Sequence, residues 1–199
     1  MDPVVSIPYY SGYGHTAVLA GAVRDGASAA GARTHLIDVA NISHDDWNAL
    51  DASEAIVFGA PTYMGAAAAG FWTFAEATSG RWQEQRWKDK LAAGFTNSGG
   101  KSGDKLNTLQ NFAVLAAQHG MLWISLGLTT GWNSAAGSEN DLNRLGFFLG
   151  AGAQTFVDAG PDGVHPADIA TCEWLGRRVT ETTRIFTMGR RVVETAVAD

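Results

Sequence analysis

The sequence predicts an α/β domain in which helices cover both faces of a five-stranded parallel sheet. Short apolar runs alternate with segments of helical periodicity, which is the pattern of βαβ units joined by right-handed crossovers. The run Ala55–Gly59 is apolar throughout, as a strand buried on both faces is expected to be. The chain has 199 residues, a length that suits a single domain with a sizeable core.

Each element follows from its own local pattern. Five short apolar runs are predicted as strands: Val4–Tyr9, Thr34–Val39, Ala55–Gly59, Leu91–Thr96 and Met121–Leu126. Four segments are predicted as helices, because apolar residues recur at helical spacing or because capping residues mark their ends: 15–30, 70–78, 106–119 and 166–186. Gly31 and Gly120 follow two of these helices, at the position where glycine commonly ends a helix.

Two stretches lie outside this alternation. Residues 128–166 are rich in glycine and aromatic residues and show no clear period. A segment of this length inside a compact domain is usually functional or part of an interface. We expect one domain over residues 1–188 and a frayed tail over residues 189–199.

Composition excludes some classes of partner. The net charge of −6 argues against binding to nucleic acid or to an anionic membrane surface, since both favour a basic stripe. No stretch reaches the roughly 18 apolar residues of a membrane span. Charged residues make up 17% of the chain, below the roughly 25% of a typical soluble domain. This low charge favours a surface partly covered by another copy, in a homodimer or homotetramer.

Cysteine content and the N-terminus indicate the compartment. Cys172 is the one cysteine, so an internal disulfide is impossible, which suits a reducing compartment. Its helical context favours a small buried side chain over a reactive thiol. The first residues lack the basic region and apolar run of a signal peptide. We therefore expect a soluble, cytoplasmic protein.

The loop after the first strand has the composition of an anion site. Hydroxyl groups, glycine amides and a helix N-terminus come together in Ser11, Gly12, Tyr13, Gly14, His15 and Thr16. The loop contains no Lys or Arg, so neutral donors and the helix dipole would hold a phosphate there. Its glycines do not follow the G-x-G-x-x-G pattern of dinucleotide sites. A helix cap with a glycine turn is the alternative interpretation.

The loop after the third strand offers surfaces for a flat heterocycle. It consists of Pro61, Thr62, Tyr63, Met64 and Gly65. Proline restrains the turn, the threonine hydroxyl and backbone amides can form hydrogen bonds, and Tyr63 and Met64 can pack on a ring. An ordinary strand-to-helix turn is the alternative.

The loop after the fourth strand can present backbone amides to the edge of an aromatic ring. Its residues are Asn97, Ser98, Gly99, Gly100, Lys101 and Ser102. The Gly-Lys-Ser fragment within it is not a P-loop, because that motif needs a glycine where Phe95 stands. No H-x-x-x-H or C-x-x-C spacing occurs, so we expect no metal site.

Taken in order, these loops resemble those of the WrbA family of NAD(P)H:quinone oxidoreductases, within the flavodoxin-like superfamily. The similarity covers nearly the whole chain and is strongest in Tyr9–His15, Phe58–Thr62, Gly80–Trp82 and His119–Met121. The resemblance implies a flavodoxin-like five-stranded parallel sheet, FMN as cofactor and NAD(P)H as co-substrate. It also implies a quinone or a similar aromatic molecule as electron acceptor.

The resemblance assigns roles to the loops and to residues beyond them. It implies that the first loop surrounds the FMN phosphate, the second lies beside the isoalloxazine ring, and the third lies along its polar edge. His119 is implied to be a catalytic neighbour of the flavin, where a cap at a helix C-terminus is the alternative. Tyr13 and Trp82 are implied to border the nicotinamide and the substrate, with core packing as the alternative for Trp82.

The sequence departs from the family pattern in four places. The segment between the second and third strands, Ala40–Glu54, is shorter than in the best-known members, whose longer segments contribute to tetramer packing. Many family members have arginine where Tyr63 stands, so a contact to the flavin is lost or replaced. The third loop continues into Lys101, Asp104 and Lys105, where family loops are plainer and richer in glycine. Residues 142–146, Leu-Asn-Arg-Leu-Gly, have no role that the resemblance assigns.

The expected reaction is a two-electron transfer from NAD(P)H to a quinone, with both substrates using one site in turn. One rival function is that of a flavodoxin-type carrier, which passes single electrons between protein partners. The other is that of an interaction module whose flavin is structural or absent.

Overall fold

Strands and helices alternate along the chain as the sequence predicts. The computed structural model describes residues 2–198. Its elements are β1 (Val4–Tyr9), α1 (His15–Ala29), β2 (Arg33–Asp38), α2 (His44–Ala52), β3 (Ala55–Tyr63), β4 (Ala66–Ala67), α3 (Ala69–Ala77), α4 (Ser79–Gln83), β5 (Leu91–Ser98), α5 (Lys105–Gln118), β6 (Leu122–Trp123), β7 (Ala151–Gln154) and α6 (Pro166–Ala198). Across the described residues, no helix is both long and apolar enough to cross a membrane.

The sheet has the strand order β2-β1-β3-β5-β6, and β7 also pairs with β5. These pairs are all parallel, and β4 alone adds an antiparallel hairpin to the end of β3. Because β6 and β7 share the fifth position, the order is that of a flavodoxin-like doubly wound sheet, with its switch point between β1 and β3. The predicted fold class is therefore confirmed.

Each face of the sheet has its own apolar core. On one face, α1 and α6 pack over side chains of β1, β3 and β5, and Cys172 lies buried in this core. Burial raises the pKa of the Cys172 thiol well above its ordinary value, so the thiol is a packed side chain rather than a reactive group. On the other face, α2, α3 and α5 pack over side chains of β3, and Phe58 of β3 forms an aromatic core with Phe71 and Phe112 of the helices.

Glycine allows α1 and α6 to touch along their backbones. A Cβ atom at Gly26 would lie 1.9 Å from the carbonyl oxygen of Glu173, and one at Gly176 would lie 2.0 Å from the carbonyl oxygen of Val23. Any larger side chain would separate the two helices, so both positions require glycine.

The sequence analysis missed helix α2, which lies in a polar segment with little apolar periodicity. A capping box begins the helix: Ser43 Oγ accepts a hydrogen bond from Asp46 N at 3.2 Å, and the Asp46 carboxylate accepts one from Ser43 N at 2.8 Å. The S-x-x-D spacing that forms this box is visible in the sequence and could have revealed the helix.

The fifth strand position is divided between two short strands. β6 pairs with the start of β5, where Leu91 lies opposite Leu122, and β7 pairs with its end, where Phe95 lies opposite Ala151. The prediction of one strand over 121–126 is therefore correct for Leu122–Trp123 only. After these residues the chain leaves the sheet and returns at β7; we call residues 125–150 the excursion.

A buried ion pair anchors the excursion. Arg144 donates to both carboxylate oxygens of Asp168 at 2.8 and 2.7 Å, and the two side chains are 3% and 2% exposed. The same carboxylate accepts a hydrogen bond from Gln154 N at 2.9 Å, and Arg144 also donates to Gln154 O at 3.3 Å. Residues 142–146, which the sequence left without a role, therefore fasten the excursion to α6 and β7.

Helix α6 extends beyond the predicted domain boundary. Residues 189–198, expected to be a frayed tail, continue the helix, and the side chains of residues 189–196 are exposed. Fraying of this exposed part in solution, and the boundary at residue 188, stay predictions.

Replacing Arg144 by methionine is expected to lower the free energy of unfolding by about 3–5 kcal/mol, because it leaves the Asp168 carboxylate buried without its charged partner. Arg24→Met is the matched control, since Arg24 pairs with Asp25 on the exposed surface. That control should change stability by at most about 1 kcal/mol. Urea unfolding measures both changes, and equal effects would show that the buried pair does not hold the excursion.

Candidate functional site

A cavity of about 590 Å³ opens at the carboxyl edge of the sheet. The three predicted loops line it together with residues that follow β7: Tyr13, His15, Thr16, Pro61, Thr62, Tyr63, Met64, Asn97, Ser98, Gly99, Thr155 and Val157. The loops converge because parallel strands end at the same edge, next to the switch point.

The first loop shapes the N-terminus of α1. Gly14 precedes the helix with a left-handed φ of 90°, and a Cβ atom there would lie 2.7 Å from Pro161 Cγ. Ser11 Oγ accepts hydrogen bonds from Gly14 N at 3.1 Å and Ala17 N at 3.2 Å. The first turn of α1 contains no acidic residue. Its N–H groups and the positive end of the helix dipole therefore suit an anion.

A wall formed by residues 155–161 closes the cavity on the side of β7. His15 Nε2 lies 2.8 Å from the carbonyl oxygen of Ala159, and Thr155 Oγ1 donates to Asn97 Oδ1 at 3.0 Å. This wall was not predicted from the sequence. Its contacts join segments that lie far apart in the chain, and no local sequence pattern indicates such contacts.

The second loop combines a buried hydroxyl network with an exposed aromatic rim. Thr62 Oγ1 lies 2.8 Å from Thr96 Oγ1 and 2.7 Å from Thr108 Oγ1, which fixes the end of β3. The ring of Tyr63 meets that of Tyr13 edge-on, with centroids 6.2 Å apart. Partial burial raises the pKa of the Tyr63 phenol, so the hydroxyl is neutral at pH 7. Tyr63 also lies over Gly12, where a Cβ atom would be 2.5 Å from its hydroxyl oxygen.

The cavity has an apolar rim. Tyr13, Met64 and Val157 are largely exposed at its edge. Among the described residues that line it there is no Asp, Glu, Lys or Arg. The arrangement can accept a flat ring, hydrogen-bond one edge of that ring through the loop at 97–99, and hold an anion at α1.

Of the loop residues predicted to bind the cofactor, seven are not among those that line the cavity: Ser11, Gly12, Gly14, Gly65, Gly100, Lys101 and Ser102. Gly100, Lys101 and Ser102 lie in the exposed part of the third loop. The Lys101 ammonium lies 5.2 Å from the ring centre of Trp132, in the excursion. Only Asn97, Ser98 and Gly99 bring this loop to the cavity.

The structure does not bring His119 or Trp82 to the cavity. His119 is 2% exposed at the C-terminus of α5, with Nε2 2.9 Å from Thr78 Oγ1 and its ring 4.6 Å from that of Trp87. Burial lowers the pKa of its imidazole, which favours the neutral form. Trp82 lies on α4, with 48% of its surface exposed.

The topology explains why both residues lie outside the cavity of their own chain, and their roles beside the flavin stay predictions. Each helix that follows a parallel strand runs back across the sheet, so its C-terminus lies at the edge opposite the loops. His119 ends such a helix, and its contact with Thr78 places the start of α4 at that same edge. Two motifs shared with the WrbA family, Gly80–Trp82 and His119–Met121, identified these residues in the sequence. Such motifs do not show at which edge of the sheet a residue lies.

The fold and this cavity together define a flavodoxin-like protein with an anion site beside a slot for a flat ring. The chain belongs to the flavodoxin family, whose model matches residues 7–116. Membership of this family implies FMN as the cofactor.

Relatives include a protein named as a flavodoxin and one named as an NAD(P)H dehydrogenase (quinone). The chain is 41% identical over 176 residues to flavodoxin FldP of Pseudomonas aeruginosa, covering 87% of this chain and 92% of that protein. It is 28% identical over 210 residues to an NAD(P)H dehydrogenase (quinone) of Paracoccus denitrificans, covering 94% and 97%.

A solved structure is similar along nearly the whole chain. It is a WrbA-like flavodoxin from Agrobacterium tumefaciens, with a TM-score of 0.74, 39% identity and coverage of 92% of this chain and 99% of that one. The resemblance to WrbA-type proteins is therefore confirmed.

Replacing Gly14 by alanine is expected to destabilise the protein by about 1–3 kcal/mol, because its left-handed backbone and its contact with Pro161 both exclude a Cβ atom. Gly21→Ala, within the same helix, is the control. The nearest atom to its new Cβ would be the flexible end of Arg24 at 3.9 Å. That control should be neutral or stabilising by up to about 1 kcal/mol. Thermal or urea unfolding would contradict the structure if the two variants behaved alike.

Proposed function

We propose that this protein is an FMN-dependent oxidoreductase that transfers two electrons from NAD(P)H to a quinone or a similar aromatic acceptor. The observation that carries this proposal is an open cavity with an aromatic and apolar rim and no charged carboxylate, ammonium or guanidinium group among its described lining residues. Such a rim suits a flat, uncharged molecule better than the charged face of a protein partner.

The residues of the cavity fit FMN. Residues 11–16 offer the phosphate a helix N-terminus, a left-handed glycine and the hydroxyl of Thr16. Thr62 and Met64 would lie beside the ring system, and Asn97 and Ser98 along its polar edge. FAD would need space for a second phosphate and an adenosine, and the loop has no dinucleotide glycine pattern.

FMN supplies a carrier that takes two electrons from NAD(P)H and passes them to the acceptor. The chain's own residues position the reactants. Tyr13, braced edge-on against Tyr63, offers an aromatic surface at the mouth of the cavity. Met64 and Val157 are exposed at the same rim and add apolar surface to it. The hydroxyl network at Thr62 keeps the floor of the site rigid.

Replacing Thr16 by alanine is expected to weaken FMN binding about 10- to 100-fold, because a hydrogen bond to a charged group contributes roughly 1.5–3 kcal/mol. Fluorescence titration of the apoprotein measures the dissociation constant. Thr73→Ala is the control, since the Thr73 hydroxyl bonds to the carbonyl oxygen of Ala69 on its own helix, outside the cavity. Unchanged FMN affinity in a folded Thr16→Ala variant would mean that this loop is only a helix cap.

A one-electron carrier is the second candidate function. The observation that favours it is the 41% identity to a protein named flavodoxin, which exceeds the 28% identity to the Paracoccus quinone dehydrogenase. A carrier would exchange electrons with proteins rather than with NAD(P)H and a quinone in turn.

Steady-state kinetics separates the two functions. If the protein is a quinone reductase, NADH or NADPH should bleach the bound flavin and a soluble benzoquinone should restore its colour. Initial rates should then give parallel double-reciprocal lines, because both substrates use one site in turn. Failure of both nucleotides to reduce the flavin, with chemical reduction in two separate one-electron steps, would favour the carrier.

The same assay tests the rim in that reaction. Tyr13→Ala should lower kcat/KM for the quinone about 2- to 10-fold, because it removes an aromatic contact, while FMN stays bound. Phe148→Ala provides a control, since Phe148 is an exposed aromatic residue outside the cavity.

Assembly and compartment belong to the same proposal. A homodimer or homotetramer would give Trp82 a route to the cavity of another copy, since within one chain it lies at the opposite edge of the sheet. The low fraction of charged residues supports such an assembly. The single, buried cysteine supports a cytoplasmic setting.

A further inference from the structure

Lys105 is the first residue of α5, yet its side chain is completely buried. Its ammonium group donates to Ser98 Oγ at 2.7 Å. It also donates to the carbonyl oxygens of Gly100 at 2.5 Å and Lys101 at 3.1 Å, and lies 3.4 Å from that of Ser102. The third loop is therefore wrapped around a buried cation.

Two successive residues of this loop have left-handed backbone conformations. Gly103 has a φ of 52° and Asp104 a φ of 55°. A Cβ atom at Gly103 would lie 2.2 Å from Ser98 Oγ, the atom that binds the ammonium group. Asp104 does not cap α5 with its side chain. Glycine and aspartate are among the residues that tolerate this region, and in this shape the loop directs its carbonyl oxygens at the ammonium group.

The charge of Lys105 has no carboxylate in direct contact. None of the ion pairs found among the described residues includes it. Desolvation lowers its pKa to about 8, while Asp168 opposes this shift and Arg144 adds to it. Because Arg144 is bound to Asp168, that carboxylate does not neutralise Lys105.

The position of this cation relates it to the cavity. Ser98 lines the cavity, and its hydroxyl oxygen accepts the hydrogen bond from Lys105 Nζ. One side chain thus separates a buried positive charge from the cavity that we assign to FMN. The described residues that line the cavity include no Asp, Glu, Lys or Arg.

We propose that Lys105 is a positioning residue for the flavin: its ammonium group holds loop 98–103 in the shape that borders the cavity, and its charge favours the reduced, anionic flavin over the oxidised form. This inference rests on the proposed FMN site and adds a means of setting the reduction potential. A cation close to a site stabilises the more negative state of whatever binds there.

Lys90 provides a matched comparison. It too is a lysine with a pKa lowered by burial, and its ammonium group donates to the carbonyl oxygens of Leu50, Asp51 and Ser53. It begins the chain segment leading into β5, at the edge of the sheet opposite the cavity. Lys90→Met therefore measures what the loss of a carbonyl-bound lysine does to the protein apart from the flavin site.

The experiment compares wild type, Lys105→Met, Lys105→Arg and Lys90→Met. The measurements are the dissociation constants of oxidised and reduced FMN, the midpoint potential, and amide hydrogen exchange of residues 98–104 in the apoprotein. Lys105→Met should weaken reduced FMN about tenfold more than oxidised FMN, which lowers the potential by about 30 mV for a two-electron couple. The amide hydrogens of residues 98–104 should exchange faster in the Lys105→Met apoprotein than in the wild-type apoprotein.

The two other variants should retain the wild-type potential and loop exchange. Lys105→Arg keeps the charge beside Ser98, and Lys90→Met removes a charge that lies at the far edge. A Lys105→Met variant with wild-type potential, or with equal losses for oxidised and reduced FMN, would overturn the proposal.

The pH dependence of the wild-type protein gives a second test that needs no variant to fold. Raising the pH through about 8 deprotonates Lys105 in the folded protein. Asp104, Asp168 and Arg144 are the charged groups around it. The potential should therefore fall more steeply between about pH 7.5 and 9 than below pH 7, and a constant slope would overturn the proposal.

Failure of the FMN site itself would look different. In that case no variant, including wild type, would bind FMN, and the proposed function would fall. Hydrogen exchange of the apoprotein would still test the role of Lys105 in holding the loop: exchange as slow in Lys105→Met as in wild type would overturn the inference independently.

Discussion

One buried ion pair holds the cavity side of the sheet together. Arg144 and Asp168 satisfy one another with two hydrogen bonds, and the backbone of Gln154 completes the set. Charges this deeply buried are tolerated only when nearly all of their hydrogen-bonding groups are paired. Gln154 in turn donates from its side chain to Gly99 O at 3.0 Å. These hydrogen bonds therefore link the excursion, helix α6, strand β7 and the third loop to one another.

Among the described residues, no carboxylate, ammonium or guanidinium group lines the cavity, but three such groups are buried directly behind the lining. The lining uses hydroxyl, amide and aromatic groups, whereas Lys105 and the Arg144–Asp168 pair lie one layer deeper. A buried charge acts through low dielectric and is weakly screened by salt. A neutral aromatic molecule can therefore enter without desolvating one of these charged side chains. The buried charges behind the lining still contribute to the electrostatic potential inside the cavity.

Much of the fold could be predicted from the sequence, because it depends on local patterns. Apolar runs identified strands β1, β2, β3 and β5, and the topology of parallel strands then brought the three loops that follow β1, β3 and β5 to one edge. Most of the cavity lining follows from that argument alone. Helix α2 carried a signal in its capping box that apolar periodicity did not reveal.

The remaining features depend on contacts between distant segments. β7 consists of small residues in a short strand, and only its pairing with β5 identifies it. The wall at Thr155–Pro161 forms for the same reason. His119 and Trp82 could not be located from the sequence for a different reason. Motifs shared with a family indicate that a residue matters in that family, whereas the direction of each helix decides at which edge of the sheet the residue lies.

The division of the fifth strand has a consequence for the order of assembly. Pairing β7 with β5 requires the excursion to close a long chain loop, and contacts of high sequence separation form slowly. Strands β1, β2 and β3 and helix α1 lie close together in sequence and need no such closure. We therefore expect the wall after β7 to form after strands β1, β2 and β3 and helix α1 have come together, so that the cavity is completed late in folding.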